Sequence, residues 1–356
     1  MKIVFKKTLL FSLAIFFIFS GASCIGISVG QGQTGIFKSI DQGDHWVKKT
    51  SLYSLKQNSS LAGVEGTILS VDPQDSATLY LGTKANGLYV SFDKGETWRQ
   101  LDRLPIGIIH DISIHPTASH ILYVAVGNKV VRTDDFGRFF KTVYSEVKSG
   151  LEVINVKVDL SSPNIIYASL SDGRLLKSED SGFSWNILND FQNSIRQILI
   201  NPKNPNIFYV FTTSNNVWRS EDKGRAWTLL NDNLKDYAGA TNVKKAVFMP
   251  AYNDALILAN GYGLNLTLDG GKTWSAYQLL TSPGKVAVDS VATDTHNGNI
   301  IYYLANKVLY KTIDGGMNWT TRSLPSQEKP SNIYVDAENA NIIYLIYQKD
   351  AQQSLF

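Results

Sequence analysis

Cysteine is almost absent from this sequence, since Cys24 is the single one in 356 residues. A chain with one thiol has no intrachain disulfide, so its folded part must be stabilised by packing and by closure of its sheets. Charge is also scarce, at 18% of the residues and a formal net charge of +3. The basic residues are scattered and form no stripe interleaved with aromatics, which argues against nucleic acid as a partner. The composition is typical of one large all-β domain.

The first residues have the order of a secretory signal. Basic residues precede an apolar stretch over 9–19, and small residues then lead to Cys24. The apolar stretch is too short for an ordinary membrane-spanning helix, and a cysteine directly after small residues resembles the lipobox of bacterial lipoproteins. We therefore predict a signal peptide over 1–23, lipid modification of Cys24, and an extracytoplasmic propeller domain over 24–356. Secretion after cleavage at Ala22 and an uncleaved N-terminal anchor are the alternatives.

One eight-residue motif recurs seven times, with the best copy at 91–98. Its order is Ser or Thr, any residue, Asp, any residue, Gly, two more residues, and an aromatic, and we call it the turn motif. Its aspartates are Asp41, Asp93, Asp135, Asp180, Asp222, Asp269 and Asp314. Successive aspartates are 42 to 52 residues apart. Such a period indicates one supersecondary unit copied around or along an axis.

The chemistry of the turn motif predicts a structural task. The Asp carboxylate can accept backbone N–H bonds within the turn, and Gly two positions later permits a left-handed backbone. The aromatic is expected to open the next strand and pack into the sheet. Seven identical aspartates cannot form one active site, so we predict turn residues that take part in neither catalysis nor metal binding. No metal and no cofactor are expected.

Each turn motif belongs to a larger repeat that holds four strands. Short β-branched and aromatic runs are bounded by Pro, Asn, Asp and Gly, most clearly over 68–98. A solenoid would need polar capping repeats at both ends, and both ends consist of ordinary repeat pieces. The prediction is an all-β fold, a single seven-bladed β-propeller of four-stranded antiparallel blades.

The two ends of the chain are predicted to share one composite blade. The N-terminal pieces 27–29 and 35–39 match second and third strands of a repeat, with no inner strand before them. The C-terminal pieces 332–336 and 341–345 match an inner and a second strand. Both ends thus offer a second strand, so the pieces compete or overlap, or the sequence is truncated after Phe356.

These motifs resemble a known repeat. Turn motifs such as that at 91–98, with an Asp-Pro turn as at 72–73 and an Ile-Tyr strand as at 166–167, resemble Asp-box or bacterial neuraminidase repeats. Such repeats occur in sialidases, xyloglucanase-type glycosidases, sortilin ectodomains and photosystem II assembly factor propellers. The resemblance covers nearly everything after residue 26 and implies a propeller, while the chemistry of these families differs. The chain is most similar to the assembly factor and sortilin-type propellers.

Repeat identity breaks down at the start of the inner strands. The positions there are polar, which predicts a ring of polar side chains at a solvated channel mouth; the alternative is a water-filled lining that binds nothing. The candidate binding residues are His110, Asp111, Asn155, Arg196, Gln197, Lys244, Lys245 and Asp289.

Two long connections are expected to extend this surface. The segments 53–63 and 231–241 account for the two longest repeat steps, and extra loop length on a rigid scaffold often carries binding. Tyr53, Tyr237 and Tyr277 are candidates for aromatic contacts or for loop anchors.

The sequence offers little support for an enzyme. A sialidase needs three convergent arginines, and xyloglucanase-type enzymes place two carboxylates across a cleft between two propellers, whereas this chain has one. The acidic candidates Asp111, Glu152 and Asp289 come from different blades with no evident pairing. His110 and His115 are five positions apart on one strand, so they point to opposite faces and predict no metal site.

These observations lead to one functional prediction. The chain is an extracytoplasmic, non-enzymatic binding or assembly propeller that recognises a protein, peptide or glycan partner at its channel mouth. We expect a monomer that contacts the membrane through a lipid anchor only and binds no nucleic acid. The alternative is a glycoside hydrolase of sialidase or xyloglucanase type.

Overall fold

Four-stranded antiparallel sheets repeat along the whole described chain, as the strand and turn signals predict. The computed structural model describes residues 34–53, 60–250 and 252–349. The predicted signal peptide and Cys24 lie outside these residues. Within them, we find no helix whose length and apolar character would allow it to cross a membrane.

Six blades are contiguous in sequence. The first two strands of the chain are β1 (Gly35–Ser39) and β2 (Val47–Lys48). Blades 1, 2 and 3 consist of β3 (Gly66–Asp72), β4 (Asp75–Thr83), β5 (Leu88–Ser91), β6 (Arg99–Leu101); β7 (Ile109–Ile114), β8 (Leu122–Val126), β9 (Lys129–Thr133), β10 (Lys141–Ser145); and β11 (Val153–Val158), β12 (Ile166–Leu170), β13 (Arg174–Ser178), β14 (Asn186–Asp190). Blades 4, 5 and 6 consist of β15 (Ile195–Ile200), β16 (Phe208–Thr212), β17 (Val217–Ser220), β18 (Thr228–Leu229); β19 (Val243–Phe248), β20 (Leu256–Asn260), β21 (Leu264–Thr267), β22 (Ser275–Ala276); and β23 (Val288–Thr293), β24 (Ile301–Ala305), β25 (Val308–Thr312), β26 (Thr320–Arg322). The last strands are β27 (Pro330–Val335) and β28 (Ile343–Tyr347), and a short 3₁₀ helix covers Asn231–Leu234.

The seventh blade joins the two ends of the described chain. Its order is β2-β1-β28-β27, and β1 pairs antiparallel with β28 so that Ile36 lies opposite Ile346. The predicted seven-bladed propeller with one composite blade is confirmed. Of the two competing second strands, the C-terminal one is used here, and 35–39 supplies the third strand. The piece 27–29 and the last residues 350–356 lie outside the described residues.

The core lies between neighbouring blades. In six of the seven blades the second strand is buried at every residue, because both of its faces pack against other blades. Between blades 1 and 2, for example, Tyr80 packs with Ile112 and Val124. Continuous apolar runs are therefore the sequence signature of these strands.

The turn motifs connect the third and outer strands at the face opposite the start of the inner strands. In the copy at 91–98 the Ser91 hydroxyl donates to the Asp93 carboxylate at 2.7 Å, and the Gly95 N–H donates to the Ser91 oxygen at 2.8 Å. The Thr97 N–H donates to the same carboxylate at 2.9 Å. The same three bonds recur in the other six copies.

The backbone of the turn motif has two successive left-handed residues, although the sequence indicates only one. Gly95 has φ +81° and Lys94 before it has φ +56°, and both signs recur in every copy. The sequence predicts that the aromatic opens the outer strand, but it stands one residue before that strand. Trp98, for example, immediately precedes β6. The aromatic therefore closes the turn beneath the sheet.

Candidate functional site: the channel mouth

The seven inner strands follow one another around a central channel, and each has a β-bulge at the same place. In β7, for example, Ile109 pairs with Val126 and Asp111 pairs with Ala125. No residue of β8 therefore lies opposite His110. A bulge re-aims the side chains beside it. The seven bulge residues are Thr67, His110, Ile154, Arg196, Lys244, Asp289 and Ser331.

One cavity of about 450 Å³ lies at this end of the channel, and we call it the channel mouth. All eight residues singled out from the sequence line it: His110, Asp111, Asn155, Arg196, Gln197, Lys244, Lys245 and Asp289. The structure thus brings together side chains from five blades. Their role in binding stays a prediction.

Lys157 also lines the channel mouth, and sequence reasoning missed it. The sequence does contain a signal for Lys157. It follows Asn155 by two positions on β11, and side chains two apart in a strand share a face. Lys84 and Gln348 line the cavity from outside the inner strands, so no strand period points to them.

Asp111 joins blade 2 to blade 3. Its carboxylate is buried, accepts the Val156 N–H at 3.0 Å, and lies 2.7 Å from the Lys157 ammonium. It also accepts the N–H of Ile112 on its own strand at 3.0 Å. Both oxygens of the Asp111 carboxylate are therefore used in bonds within and between the blades.

Two amide side chains make similar connections between blades. Asn155 donates to the Ile195 carbonyl of blade 4 at 2.9 Å and to the Ser169 hydroxyl at 2.8 Å. Gln197 both donates to the Ala246 carbonyl at 3.0 Å and accepts the Ala246 N–H at 2.9 Å, which joins blade 4 to blade 5. The third residue of the inner strand therefore has a structural task in three consecutive blades.

The remaining acidic groups at the mouth are paired. Asp289 lies 2.8 Å from the Lys329 ammonium, and His110 lies 3.2 Å from the Glu152 carboxylate. His115, beyond the end of β7, accepts the Thr117 N–H at 3.3 Å and takes the turn role that Asp72 has in blade 1. In the part of the chain that the structure describes, no three potential metal ligands cluster.

Three cations at the mouth have no such pair. Among the described residues, no carboxylate lies within ion-pair distance of Arg196, Lys244 or Lys245, and none of the three side chains makes a hydrogen bond. The Lys245 ammonium lies 5.7 Å from the centre of the Tyr334 ring. The mouth therefore has an excess of positive charge.

Burial and like charge weaken the protonation of two of these lysines. Burial in the channel, and then the nearby Lys157 ammonium, lower the pKa of Lys245 to about 8, against a smaller opposite effect of Asp111. Burial, and then the Arg196 guanidinium, lower the pKa of Lys244.

Of the three candidate tyrosines, one is exposed and two are anchors, and Tyr277 lies outside both long connections. Tyr53 is exposed, and the residues 54–59 that follow it are outside the described part. Tyr237 donates its hydroxyl to the Trp274 carbonyl at 2.9 Å and packs edge-on against Tyr262. Tyr277 packs against Trp319. Of the two roles considered from the sequence, Tyr237 and Tyr277 have the anchoring one.

The architecture and its channel define an all-β protein of the seven-bladed β-propeller class. No protein-family model matches the sequence. The chain is similar to xyloglucanase Xgh74A of Acetivibrio thermocellus, with 28% identity over 164 residues that cover 38% of this chain and 19% of the relative. It is similar to a xyloglucanase of Hypocrea jecorina, with 31% identity over 133 residues that cover 36% and 15%. The matches span less than a fifth of these relatives.

Solved structures of two kinds share the fold. One is the GH74 xyloglucanase from Xanthomonas campestris, with TM-score 0.63, 16% identity, and coverage of 80% of this chain and 51% of that chain. The other is YCF48 bound to D1 peptide, with TM-score 0.64, 15% identity, and coverage of 81% and 93%. Identities this low show the fold alone.

Proposed function

We propose that this chain is an extracytoplasmic, non-enzymatic binding or assembly propeller that recognises a protein, peptide or glycan partner at its channel mouth. One observation carries the proposal: a 450 Å³ cavity gathers the irregular inner-strand residues and leaves Arg196, Lys244 and Lys245 without a counter-charge. Unpaired charge in a cavity is costly unless a ligand compensates it. The excess charge therefore favours a partner over a merely wet channel.

The non-enzymatic part of the proposal rests on the carboxylates. Asp111 is used by two backbone N–H groups and Lys157, and Asp289 is used by Lys329. A glycosidase needs one carboxyl as acid and a second free as nucleophile or base. Neither Asp111 nor Asp289 is free for such a role.

A pull-down with two matched variants tests the proposal. Surface extracts of the source organism are passed over wild type, over the Arg196→Ala/Lys244→Ala/Lys245→Ala variant, and over a control variant. The control, Arg138→Ala/Arg225→Ala/Lys272→Ala, removes three exposed cations from turn motifs at the opposite face. We expect the mouth variant alone to lose the partner. Equal recovery by all three proteins would remove the channel mouth from consideration.

The location is part of the same proposal. A lipid anchor at Cys24 would hold the propeller at the outer side of the membrane. Metabolic labelling with a palmitate analogue tests it: wild type should be labelled and Cys24→Ser should not. Labelling of neither protein would favour simple secretion.

Glycoside hydrolysis is the second candidate, since both curated relatives are xyloglucanases. Release of reducing sugar from xyloglucan, other β-glucans and fluorogenic sialosides measures it. Turnover by wild type that Asp111→Asn or Asp289→Asn abolishes would establish the enzyme and overturn the binding proposal. Turnover that both variants retain would place an active site elsewhere.

A further inference from the structure

The cations of the channel mouth lie in two tiers. The outer tier consists of the exposed Arg196, the half-buried Lys244 and Asp289, which line the cavity, with the half-exposed Lys329 that pairs with Asp289. The charges of the other three groups act on the pKa of Lys244. Lys245 is in turn affected by Lys157 and Asp111. It forms the inner tier with them and with Tyr334, over whose ring its ammonium lies.

Each tier contains one carboxylate, and each of these is already used. Asp111 pairs with Lys157 in the inner tier, and Asp289 pairs with Lys329 in the outer tier. The outer tier then retains the charges of Arg196 and Lys244, and the inner tier retains that of Lys245. In each tier, therefore, a lysine already forms an ion pair with a carboxylate.

We propose that the channel mouth is a carboxylate-binding site, in which Lys245 holds the acid from within and Arg196 and Lys244 hold it from outside. The inference rests on the proposed function and names the chemical group that the partner presents. Guanidinium and ammonium groups donate charge-assisted hydrogen bonds to carboxylate oxygens, and Arg does so in a bidentate way. Inorganic phosphate is the competing anion, and it would concentrate up to two negative charges on one group beside Asp111 and Asp289.

The site takes up a proton when it binds. Burial, and then the nearby Lys157 charge, lower the pKa of Lys245 to about 8, so part of the free protein carries a neutral Lys245 amine at that pH. A bound carboxylate raises this pKa, since it favours the ammonium form. Affinity is therefore complete below pH 8 and declines above it, and binding near pH 8 consumes protons from the buffer.

Two other titratable groups at the site have a shifted pKa. Lys244 also has a lowered pKa, so its deprotonation at higher pH weakens binding further. The pKa of Tyr334 is raised by its burial, which keeps this phenol neutral.

Titration calorimetry on the full chain tests the inference, with succinate as a free carboxylate and two blocked peptides, one rich in Asp and one with Asn in its place. Measurements at pH 8 in buffers of different ionisation enthalpy give the protons taken up. We expect succinate and the Asp peptide to bind wild type with proton uptake, and the Asn peptide not to bind. Tighter binding of the Asp peptide than of succinate would identify a peptide acid as the source. Tighter binding of succinate would identify a free acid.

Two substitutions of one residue separate charge from structure. Lys245→Arg keeps a charge at this position at every pH, so its affinity for succinate should fall less between pH 7 and pH 9.5 than that of wild type, and its proton uptake at pH 8 should be smaller. Lys245→Met should bind at least roughly tenfold more weakly, since one charge-assisted hydrogen bond is lost. Thermal unfolding of both variants checks that they are folded.

Three results would overturn the inference: no binding of succinate and Asp peptide by wild type at pH 7, unchanged affinity in Lys245→Met, or binding of inorganic phosphate alone. Its failure differs from that of the proposed function. A partner that the pull-down recovers through the mouth without any carboxylate affinity leaves the function standing. Carboxylate affinity without such a partner leaves only the anion site.

Discussion

The Asp111 carboxylate of blade 2 lies 2.7 Å from the Lys157 ammonium of blade 3 and also accepts a backbone N–H of that blade. Asp111 is almost fully buried, whereas Lys157 is partly exposed. Removing the carboxylate leaves a cation and an N–H group without a partner at the seam between two blades. The interaction is therefore a structural one, although it lies within the candidate site.

Asp111→Ala should lower the free energy of unfolding by about 2 to 3 kcal/mol, because a partly buried charge and a buried donor lose their acceptor. Denaturant unfolding measures the change. Asp289→Ala is the matched control, since its partner Lys329 is about half exposed, and it should cost less than about 1 kcal/mol. Equal costs would mean that Asp111 does not join the blades.

A methyl group at Gly316 should be more harmful than one at Gly87. Both glycines have positive φ, of +89° and +75°, so alanine is strained at either place by about 1 to 2 kcal/mol. At Gly316 a Cβ would also lie 2.4 Å from the Tyr277 ring, whereas at Gly87 nothing lies within 4 Å. We expect Gly316→Ala to cost a further roughly 1 to 3 kcal/mol in chemical unfolding. Similar costs would contradict the packing of the turn against Tyr277.

The turn aspartates should make the fold sensitive to acid. Backbone hydrogen bonds above all hold the pKa of Asp41 and of Asp314 at about 2, and the Ser184 hydroxyl and N–H do so for Asp180. A lowered folded-state pKa contributes stability above the unfolded value near 4, and this stability is lost as the pH falls towards 2. The melting temperature should thus decrease from pH 4 to pH 2. A flat profile over this range would contradict the hydrogen-bonded turns.

Closure of the ring should depend on β28. Ile346 is buried and packs in one cluster with Ile36 from the N-terminal side and Leu69 of blade 1. Ile346→Ala should lower the free energy of unfolding by about 2 to 5 kcal/mol through the cavity it leaves. The control Ile313→Ala, at an exposed position, should change it by less than about 0.5 kcal/mol. Equal effects would mean that the composite blade does not support the ring.

The sequence predicts the fold well because each repeat contains the local residue patterns of its own turns and strands. Seven copies of one hydrogen-bonded turn, such as Ser91 with Asp93 and Gly95, leave little doubt about the blade. The choice between two second strands was open, because both match the repeat and only pairing with β1 decides between them. That choice depends on contacts between residues more than 300 positions apart, which no local pattern contains.

The sequence predicts which residues line the candidate site, but it does not predict which of them are paired with one another. Polar residues at the start of the inner strands indicated the mouth, yet the bulge that turns His110 and Arg196 into it has no signature in residue type. The sequence also does not show which polar side chains of the mouth are bonded between blades and which are unpaired. Asp111 and Lys245 occupy equivalent positions on their strands, and only the neighbours across the seam make one a structural residue and leave the other unpaired.

Photo-cross-linking tests recognition at the channel mouth most directly. A photoreactive amino acid is placed at Ile154, an uncharged bulge residue of the mouth, or at Phe183, an exposed turn-motif residue of the opposite face. Irradiation in the source organism should give a covalent partner adduct from position 154 and none from position 183. Adducts from position 183 alone would contradict the account.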